Sequence, residues 1–403
     1  MHILLIHQAF AALSEPGGTR HHEFARFLAK QGHQVSIIAS PVSYLTGKIT
    51  QNQKVEIEME GKISIYRAYT YPALHKSFVH RLLSYFSFMI SSFFISMKIK
   101  NVDIVWGTSP PIFQSFTAWL VSKLKRVPYL LEIRDLWPAF AIAVGVLKNK
   151  VLINLSLWLE LFLYHRADRI MVNSPGYLEH VQLKGGQNVT LIPNGSDTTA
   201  FTPTKTIQIR NELGWKDKFI LLYAGAHGMS NDLPVVLQTA KLIEINDDIK
   251  IVFIGDGKEK NNLITLAESL RLSNVEFLNP VPKNKITEYL QASDVCIAIL
   301  KPIELYKTTY PNKVFDYMAA GKPIILAIDG VIREVIESAD CGIFCEPGNP
   351  HAIANAVLEM YSHRNGLVKI GKRGKAYLEQ NFDRMIIAKD FIDMIEKMVG
   401  ANG

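Results

Sequence analysis

Tyr310-Pro-Asn-Lys-Val-Phe-Asp-Tyr-Met-Ala-Ala-Gly321, followed by Lys322-Pro323-Ile324-Ile325-Leu326, reads as a polar loop closed by proline, a short helix, a glycine stop and a buried strand. Pro311 sits where a first helical turn tolerates a missing N–H, so the amides from Asn312 onward are left without intrahelical partners. Free amides at a helix N-terminus bind anions, and phosphate is the usual one. Asp316 lies a turn further in, suited to accept hydrogen bonds from sugar hydroxyls. A cradle for a diphosphate (Asn312, Lys313, Val314) beside a carboxylate for a ribose (Asp316) describes a nucleotide-sugar site. The competing reading is structural: Val314, Phe315, Tyr317 and Met318 pack an αβ unit and nothing more.

Outward from this segment, short β-rich runs alternate with helical stretches along the whole chain, which argues for α/β architecture with parallel sheets. Strands are expected near 2–6, 34–40, 62–69, 102–107, 128–133, 168–173 and 189–192 in the first half. In the second half they are expected near 219–224, 249–254, 274–278, 294–299, 323–328 and 342–345. Between Asn194 and Trp215 the pattern lapses into Gly, Ser, Asp, Thr and Pro, a linker with a short helix. With 403 residues the chain exceeds one ordinary core. Two doubly wound, Rossmann-like domains are therefore expected, 1–195 and 196–383, followed by a helical stretch over 384–399.

The net charge of +7 is unevenly spread. Residues 1–195 hold 20 Lys/Arg against 11 Asp/Glu, whereas the remainder holds 24 against 26. The first half is thus expected to meet something anionic, a membrane surface or a phosphorylated acceptor. No basic run interleaved with aromatics appears, which argues against nucleic acid as a partner. Cys296, Cys341 and Cys345 lack the spacing and the His partners of a zinc site or a disulfide framework, and a reducing compartment fits. Met1-His-Ile-Leu-Leu-Ile6 has no charged n-region and reads as a strand, not a signal peptide. Nothing in the sequence fixes an oligomeric state.

One region departs from the soluble pattern. Leu82 to Met97 carries no charge and is rich in Phe, Leu, Ile and Met, with Lys76, His80 and Arg81 before it and Lys98 and Lys100 after it. On a helical wheel His80, Ser84, Ser87 and Ser91 form a narrow polar stripe. A span needs about 20 residues, so this stretch is short for crossing a bilayer. It suits a helix lying in the interface with its basic ends among the headgroups. A core helix or a dimer contact is the alternative. Val151 to Leu163, after Lys148 and Lys150, is a second stretch of this kind.

Further candidates sit at expected strand ends, where open α/β sheets place their ligands. Gly17 and Gly18 follow the first strand and open a helix, so backbone amides there can approach a ligand closely. Glu132-Ile-Arg-Asp-Leu-Trp-Pro138 sets Arg134, Asp135 and Trp137 at one strand end, a guanidinium, a carboxylate and an aromatic suited to phosphate and sugar hydroxyls. Tyr223-Ala-Gly-Ala-His-Gly228 offers Gly225, Gly228 and His227, the last able to hydrogen-bond a phosphate oxygen, although a lone histidine is more often structural. Ile254-Gly-Asp-Gly257 offers Gly255 near a base and ribose. No G-x-G-x-x-G fingerprint occurs, which lowers the case for a dinucleotide cofactor, and no D-x-D or H-E-x-x-H argues for a catalytic metal. No G-x-S-x-G elbow occurs either.

The segment around Asp316 resembles the donor-site signature of the retaining family-4 glycosyltransferases, an E-x7-E motif whose helix leads to A-G-x-P. Asp316 falls on the second acidic position, and Thr308 stands where the first would be. That departure is similar to a branch acting on N-acetylated aminosugars, the L-fucosamine transferase type, as are E-x-R-D-x-W-P, Thr108-Ser-Pro-Pro111 and Pro193-Asn-Gly195. The resemblance implies the GT-B arrangement, two Rossmann-like domains facing across a cleft, with the helix at 384–399 crossing back onto the first. It implies that the Gly17-Gly18 loop faces donor diphosphate and acceptor, and that the backbone at Val281 reads a uracil edge. The Arg and Lys with which many relatives neutralise the diphosphate after the first strand of the second domain are missing; Lys313 or Lys283 can supply that charge. The implied activity is a retaining, metal-independent transfer of an N-acetylated sugar from a UDP-sugar, without a cofactor. The implied acceptor is a polyprenyl-diphosphate-linked glycan at the cytoplasmic face of the membrane, in surface polysaccharide assembly. A UDP-N-acetylglucosamine 2-epimerase-like isomerase and an inactive glycan-binding subunit are the alternatives.

Overall fold

A computed structural model describes residues 1–44, 47–51, 53–72, 77–201 and 206–400. Lys76, one of the basic residues flanking the apolar stretch, lies outside them. By their internal contacts the residues form two units, one comprising Met1–Ala12, Gly18–Pro193 and Met385–Gly403, the other Leu13–Gly17 and Asn194–Arg384.

The first unit runs β1 (His2–Ile6), α1 (Arg20–Lys30), β2 (Gln34–Ala39), β3 (Val55–Glu58), β4 (Ile63–Arg67), α2 (Phe78–Lys98), β5 (Ile104–Ser109), α3 (Ile112–Lys125), β6 (Tyr129–Ile133), α4 (Ala139–Ala143), α5 (Lys150–Arg166), β7 (Arg169–Val172), α6 (Gly176–Leu183) and β8 (Val189–Leu191). Its sheet has the order β3-β4-β2-β1-β5-β6-β7-β8, parallel except for β3 against β4. The strand order reverses between β1 and β5, so the loops leaving those two strands splay apart at their carboxyl ends. β1, β5 and β6 are buried along their length and largely apolar because helices cover both faces, with Glu132 of β6 a buried exception. β3 escaped the sequence reading: Val-Glu-Ile-Glu is an exposed edge strand, held by its antiparallel pairing with β4 and by no core contact that a pattern could register.

The second unit runs α7 (Thr206–Glu212), β9 (Phe219–Ala224), α8 (Leu233–Leu242), β10 (Ile249–Ile254), α9 (Lys260–Ser269), β11 (Val275–Leu278), α10 (Lys283–Ala292), β12 (Val295–Ile299), α11 (Asn312–Ala319), β13 (Ile324–Ala327), α12 (Val331–Ser338), β14 (Gly342–Phe344), α13 (Pro350–Ser362) and α14 (Leu367–Asn381). Its all-parallel sheet has the order β11-β10-β9-β12-β13-β14, with the reversal between β9 and β12. The last helix, α15 (Arg384–Gly400), packs on the first unit from Met385 onward. Phe391 stacks on Phe24 and tilts against Trp106, each at 4.8 Å, and His33 Nε2 lies 3.2 Å from Glu396.

Helix α2 is amphipathic in the reverse sense. Its inward side carries Ser84, Phe88, Ser92 and Ser96, all buried. The Ser87 hydroxyl accepts from the Tyr71 amide and the Ser91 hydroxyl donates to the Tyr69 carbonyl, so the polar stripe is spent on the protein. Val79, Leu83, Phe86, Ile90, Phe94 and Met97 face outward and are exposed. A core helix would show the opposite distribution. No helix among the described residues is long and apolar enough to cross a membrane.

Candidate functional site

In the second unit the reversal between β9 and β12 sets the site. Helix α11 buries Val314, Phe315, Tyr317, Met318 and Ala319, each large side chain contributing roughly 1.5–3 kcal/mol. The Tyr317 hydroxyl donates to the Ala224 carbonyl at 3.1 Å and accepts from the Ala224 amide at 2.9 Å, which pins the helix to the end of β9. Pro311 caps α11 without a side-chain hydrogen bond, leaving the Asn312 and Lys313 amides free of intrahelical partners. The segment before the linker is built into the same corner. Asn194 Nδ2 donates to the Tyr310 carbonyl at 2.8 Å, and Arg384 donates to the Gly195 carbonyl and to Asn312 Oδ1.

Asp316, expected to await a ribose, already has partners. Lys283 Nζ lies 2.5 Å from its carboxylate and the Ser196 hydroxyl donates to it at 2.7 Å. The carboxylate remains partly open to water and retains lone pairs for further donors. Lys283, at the start of α10, is therefore held at the α11 corner through Asp316. Lys313 donates to the Tyr223 hydroxyl at 2.7 Å and to Asn231 Oδ1 at 2.9 Å, and burial pushes its ammonium down to about 7. Val281 sits half-buried in the loop between β11 and α10, packed against the core.

The turns after β9 and β10 are zipped together. The Gly225 amide donates to the Ile254 carbonyl and the His227 amide to the Asp256 carbonyl. A Cβ on Gly255 would stand 1.9 Å from the Gly225 carbonyl oxygen, and one on Gly257 2.5 Å from that of His227. Gly228, by contrast, faces only Asn231 at 3.6 Å. The reading of His227 as a phosphate ligand is corrected by its surroundings. Its ring is fully buried among Tyr223, Phe253 and Phe277, neither ring nitrogen has a hydrogen-bond partner among the described residues, and burial pushes its pKa down to about 4. It shapes the loop from within. Lys260, which sequence reasoning passed over, ties two loops together by donating to the Gly255 and Leu278 carbonyls. Thr308, in place of an acid, turns its hydroxyl to the Leu305 carbonyl.

In the first unit, Arg134 and Asp135 follow β6. Arg134 is anchored through the Pro110 carbonyl, beyond β5, while its Nε is buried with no hydrogen-bond partner among the described residues. The protein around Asp135 pushes its carboxyl above the usual carboxylate range, against the pull of Arg134. Glu132, two residues before, was not singled out by the sequence. It is fully buried and receives Arg20 Nε at 3.1 Å, His21 Nε2 at 2.6 Å and Trp106 Nε1 at 3.1 Å. Burial alone would raise its pKa, but His21, Arg20 and Arg134 outweigh it and hold it at about 2. Glu132 thereby fixes the first turn of α1 and the end of the Gly18 loop. Gly17 adopts φ +145°, and a Cβ on Gly18 would meet no atom within 4 Å. Among the described residues no cluster of three or more His, Cys, Asp or Glu could hold a metal ion.

Two sheets with strand-end glycine turns and a free helix N-terminus match known proteins along their length. Residues 205–377 match the model described as Glycosyl transferases group 1, and residues 17–195 match that described as Glycosyl transferase 4-like domain. The chain is a group 1 glycosyltransferase. A protein of Escherichia coli K12 named as the colanic acid biosynthesis glycosyl transferase WcaI is 24% identical over 389 residues, 93% of this chain and 94% of its own. The Campylobacter jejuni N,N'-diacetylbacillosaminyl-diphospho-undecaprenol alpha-1,3-N-acetylgalactosaminyltransferase is 20% identical, covering 76% of this chain and 81% of its own. Sucrose-phosphate synthase from Thermosynechococcus elongatus superposes with a TM-score of 0.81 over 99% of both chains at 17% identity. Anabaena HepE in complex with UDP-glucose superposes with a TM-score of 0.74 over 98% of this chain and 100% of its own at 15% identity. This glycosyltransferase therefore has the GT-B fold, two Rossmann-like domains each built on a parallel sheet.

Proposed function

We propose that this glycosyltransferase moves an N-acetylated aminosugar from a UDP-sugar to a polyprenyl-diphosphate-linked glycan in surface polysaccharide assembly, at the cytoplasmic face of the membrane. The observation that carries the donor reading is the corner of α11: free amides for a diphosphate, with Asp316, Lys283 and Lys313 clustered one turn away. Asp316 accepts the ribose hydroxyls, the lysines compensate the diphosphate, and the Val281 backbone meets the base. Departure of UDP needs its developing charge stabilised, and fixed amides and ammonium groups do this without a metal. Arg134 and Asp135 are assigned to the transferred sugar or the acceptor, and retention of the anomeric configuration follows the family-4 pattern. The L-fucosamine transferase-like branch is favoured by Thr308 together with the run Glu132-Ile-Arg-Asp-Leu-Trp-Pro138.

The acceptor reading draws support from the outward apolar stripe of α2, joined on α5 by exposed Val151, Leu155, Trp158 and Leu161. The one acid on α2, α3 and α5, Glu160, is buried against Lys184 and His180, whereas Arg81, Lys98, Lys123, Lys150 and Arg166 are basic. An apolar face with basic flanks and no exposed acid fits an anionic bilayer.

The deciding experiment offers the purified protein a panel of UDP-sugars with a membrane lipid extract and identifies products by mass. A UDP-N-acetylated sugar consumed only with the extract, yielding a lengthened lipid-linked glycan, supports the proposal. Interconversion of UDP-sugars without any acceptor would favour the epimerase alternative, and no turnover with any donor the binding subunit.

A further inference from the structure

Helix α2 carries one arginine, and it lies off the outward stripe. Arg81 precedes Ser84 by three residues and Phe88 by seven, which sets it on the inward side of the helix with them. Its height follows from the neighbours. Gln8 Nε2, just past the carboxyl end of β1, donates to the Ser84 hydroxyl at 3.4 Å, whereas the Lys100 carbonyl, after the helix, meets the His2 ring at 3.2 Å. α2 therefore runs antiparallel to β1. Arg81 stands about 4.5 Å further along the axis than Ser84, overhanging the strand ends.

The residues after β6 gather at the same level. The Arg134 amide donates to the Ser109 carbonyl at the end of β5, and Asp135 follows, exposed. Tyr44 lies within electrostatic range of Asp135, Arg81 and Arg134 together, and Tyr85, one turn on from Arg81, within range of Tyr44 and Arg81. Two guanidinium groups thus stand against one carboxylate. Among the described residues neither the Arg81 guanidinium nor the Asp135 carboxylate has a hydrogen-bonded or ion-paired partner, and Arg134 Nε is buried without one. An aromatic bridge joins this cluster to the outward stripe. The Phe113 ring of α3 is centred 5.8 Å from Tyr85, 5.1 Å from the exposed Phe86 and 6.2 Å from Trp137.

The arrangement suits a ligand with an anionic group, hydroxyls and an apolar tail. A guanidinium without a carboxylate takes phosphate oxygens through a forked pair of hydrogen bonds, and an exposed carboxylate accepts from sugar hydroxyls. We propose that Arg81 binds the phosphate of a lipid-linked acceptor, whose first sugar lies toward Asp135 and Arg134 and whose lipid leaves over Phe113 and Phe86. Arg81 is then a positioning residue: it fixes how far the acceptor hydroxyl stands from the phosphate and so which sugar of the glycan meets the donor. The assignment rests on the reading of the protein as a transferase that acts on a lipid-linked glycan.

The test is titration calorimetry of the full chain with farnesyl diphosphate below its micelle concentration, in saturating UDP so that the diphosphate cannot enter the donor site. Inorganic pyrophosphate is the comparison. Saturable binding of farnesyl diphosphate is expected, about tenfold tighter than pyrophosphate or more, because the tail is covered. Arg81→Gln should weaken it roughly ten- to a hundredfold. Arg81→Lys, which keeps the charge without the fork, should weaken it less. Arg81→Gln should leave the melting temperature, UDP affinity and flotation with phosphatidylglycerol vesicles unchanged, since the side chain faces the protein. No saturable binding, or binding indifferent to Arg81→Gln, would overturn the site. Pyrophosphate binding as tightly as farnesyl diphosphate would overturn the lipid assignment. Loss of vesicles in Arg81→Gln would show that the arginine serves docking instead. A wild type that does not bind UDP would remove the donor reading alone, and the Arg81 dependence, measured then without UDP, would still decide the site.

Discussion

The Lys283 ammonium lies 2.5 Å from the Asp316 carboxylate, both largely shielded, at the point where α10 and the α11 corner meet. The residue expected to receive a nucleotide thus has a fixed counter-charge, and the lysine that would compensate a diphosphate is aimed by it. Removing the acid leaves a shielded cation alone. Asp316→Ala should cost about 1–3 kcal/mol of stability in urea unfolding and lower UDP affinity in calorimetry by about 1.5–3 kcal/mol. Asp316→Ala/Lys283→Met should recover most of the stability and none of the affinity. Unchanged UDP affinity in the folded single variant would remove Asp316 from the donor site.

Lys313 titrates near 7 because burial disfavours its charge. Its unfolded counterpart holds a proton up to about 10.4, so between these values the unfolded state binds more protons. Lys313 therefore makes stability rise with pH from about 7 to 10, and Lys313→Met should flatten that rise in thermal melts. A diphosphate at α11 would favour the charged form, so UDP binding at pH 8.5 should take up protons. Calorimetry in buffers of different ionisation enthalpy measures this, and Lys313→Met should abolish it.

Two glycines separate packing from ligand approach. Gly255→Ala places a Cβ 1.9 Å from the Gly225 carbonyl at φ +149° and should cost about 1–3 kcal/mol in unfolding. The Cβ of Gly18→Val would meet nothing within 4 Å, so its melting should stay close to wild type while transfer is lost and UDP still binds. A Gly18→Val variant that transfers normally would show that no ligand passes there.

Glu132 is held at about 2 by His21 and Arg20. Its depressed pKa contributes stability above the unfolded value of about 4.3, and that contribution is lost as pH falls toward 2. Glu132→Gln should cost about 3 kcal/mol at pH 7, with a weaker acid dependence seen by circular dichroism, because Arg20 is left without its carboxylate.

The outward stripe of α2 predicts that Phe86→Ser/Ile90→Ser/Phe94→Ser releases the protein from anionic vesicles in flotation assays while its melting temperature holds. Binding of the wild type should weaken as salt rises. Replacing Phe93, half-buried beside the stripe, should do less for release and more harm to folding. Wild-type protein that ignores anionic vesicles would end the membrane reading.

The sequence by itself determined the strands of the described residues save β3, the two-unit plan and the location of the α11 corner. Strands covered on both faces are mostly apolar, and a helix that starts at proline and stops at glycine signs its own ends. Charge pairing and facing were left to the tertiary structure. Nothing near Asp316 in the chain announces Lys283 or Ser196, since neither belongs to its helix. His227 read as a ligand because its loop is glycine-rich, yet three aromatic rings from β9, β10 and β11 enclose it. The serine stripe of α2 was visible, but only packing turned it inward. Periodicity is a property of one segment, whereas which side meets protein depends on the sheet and helices that fold against it.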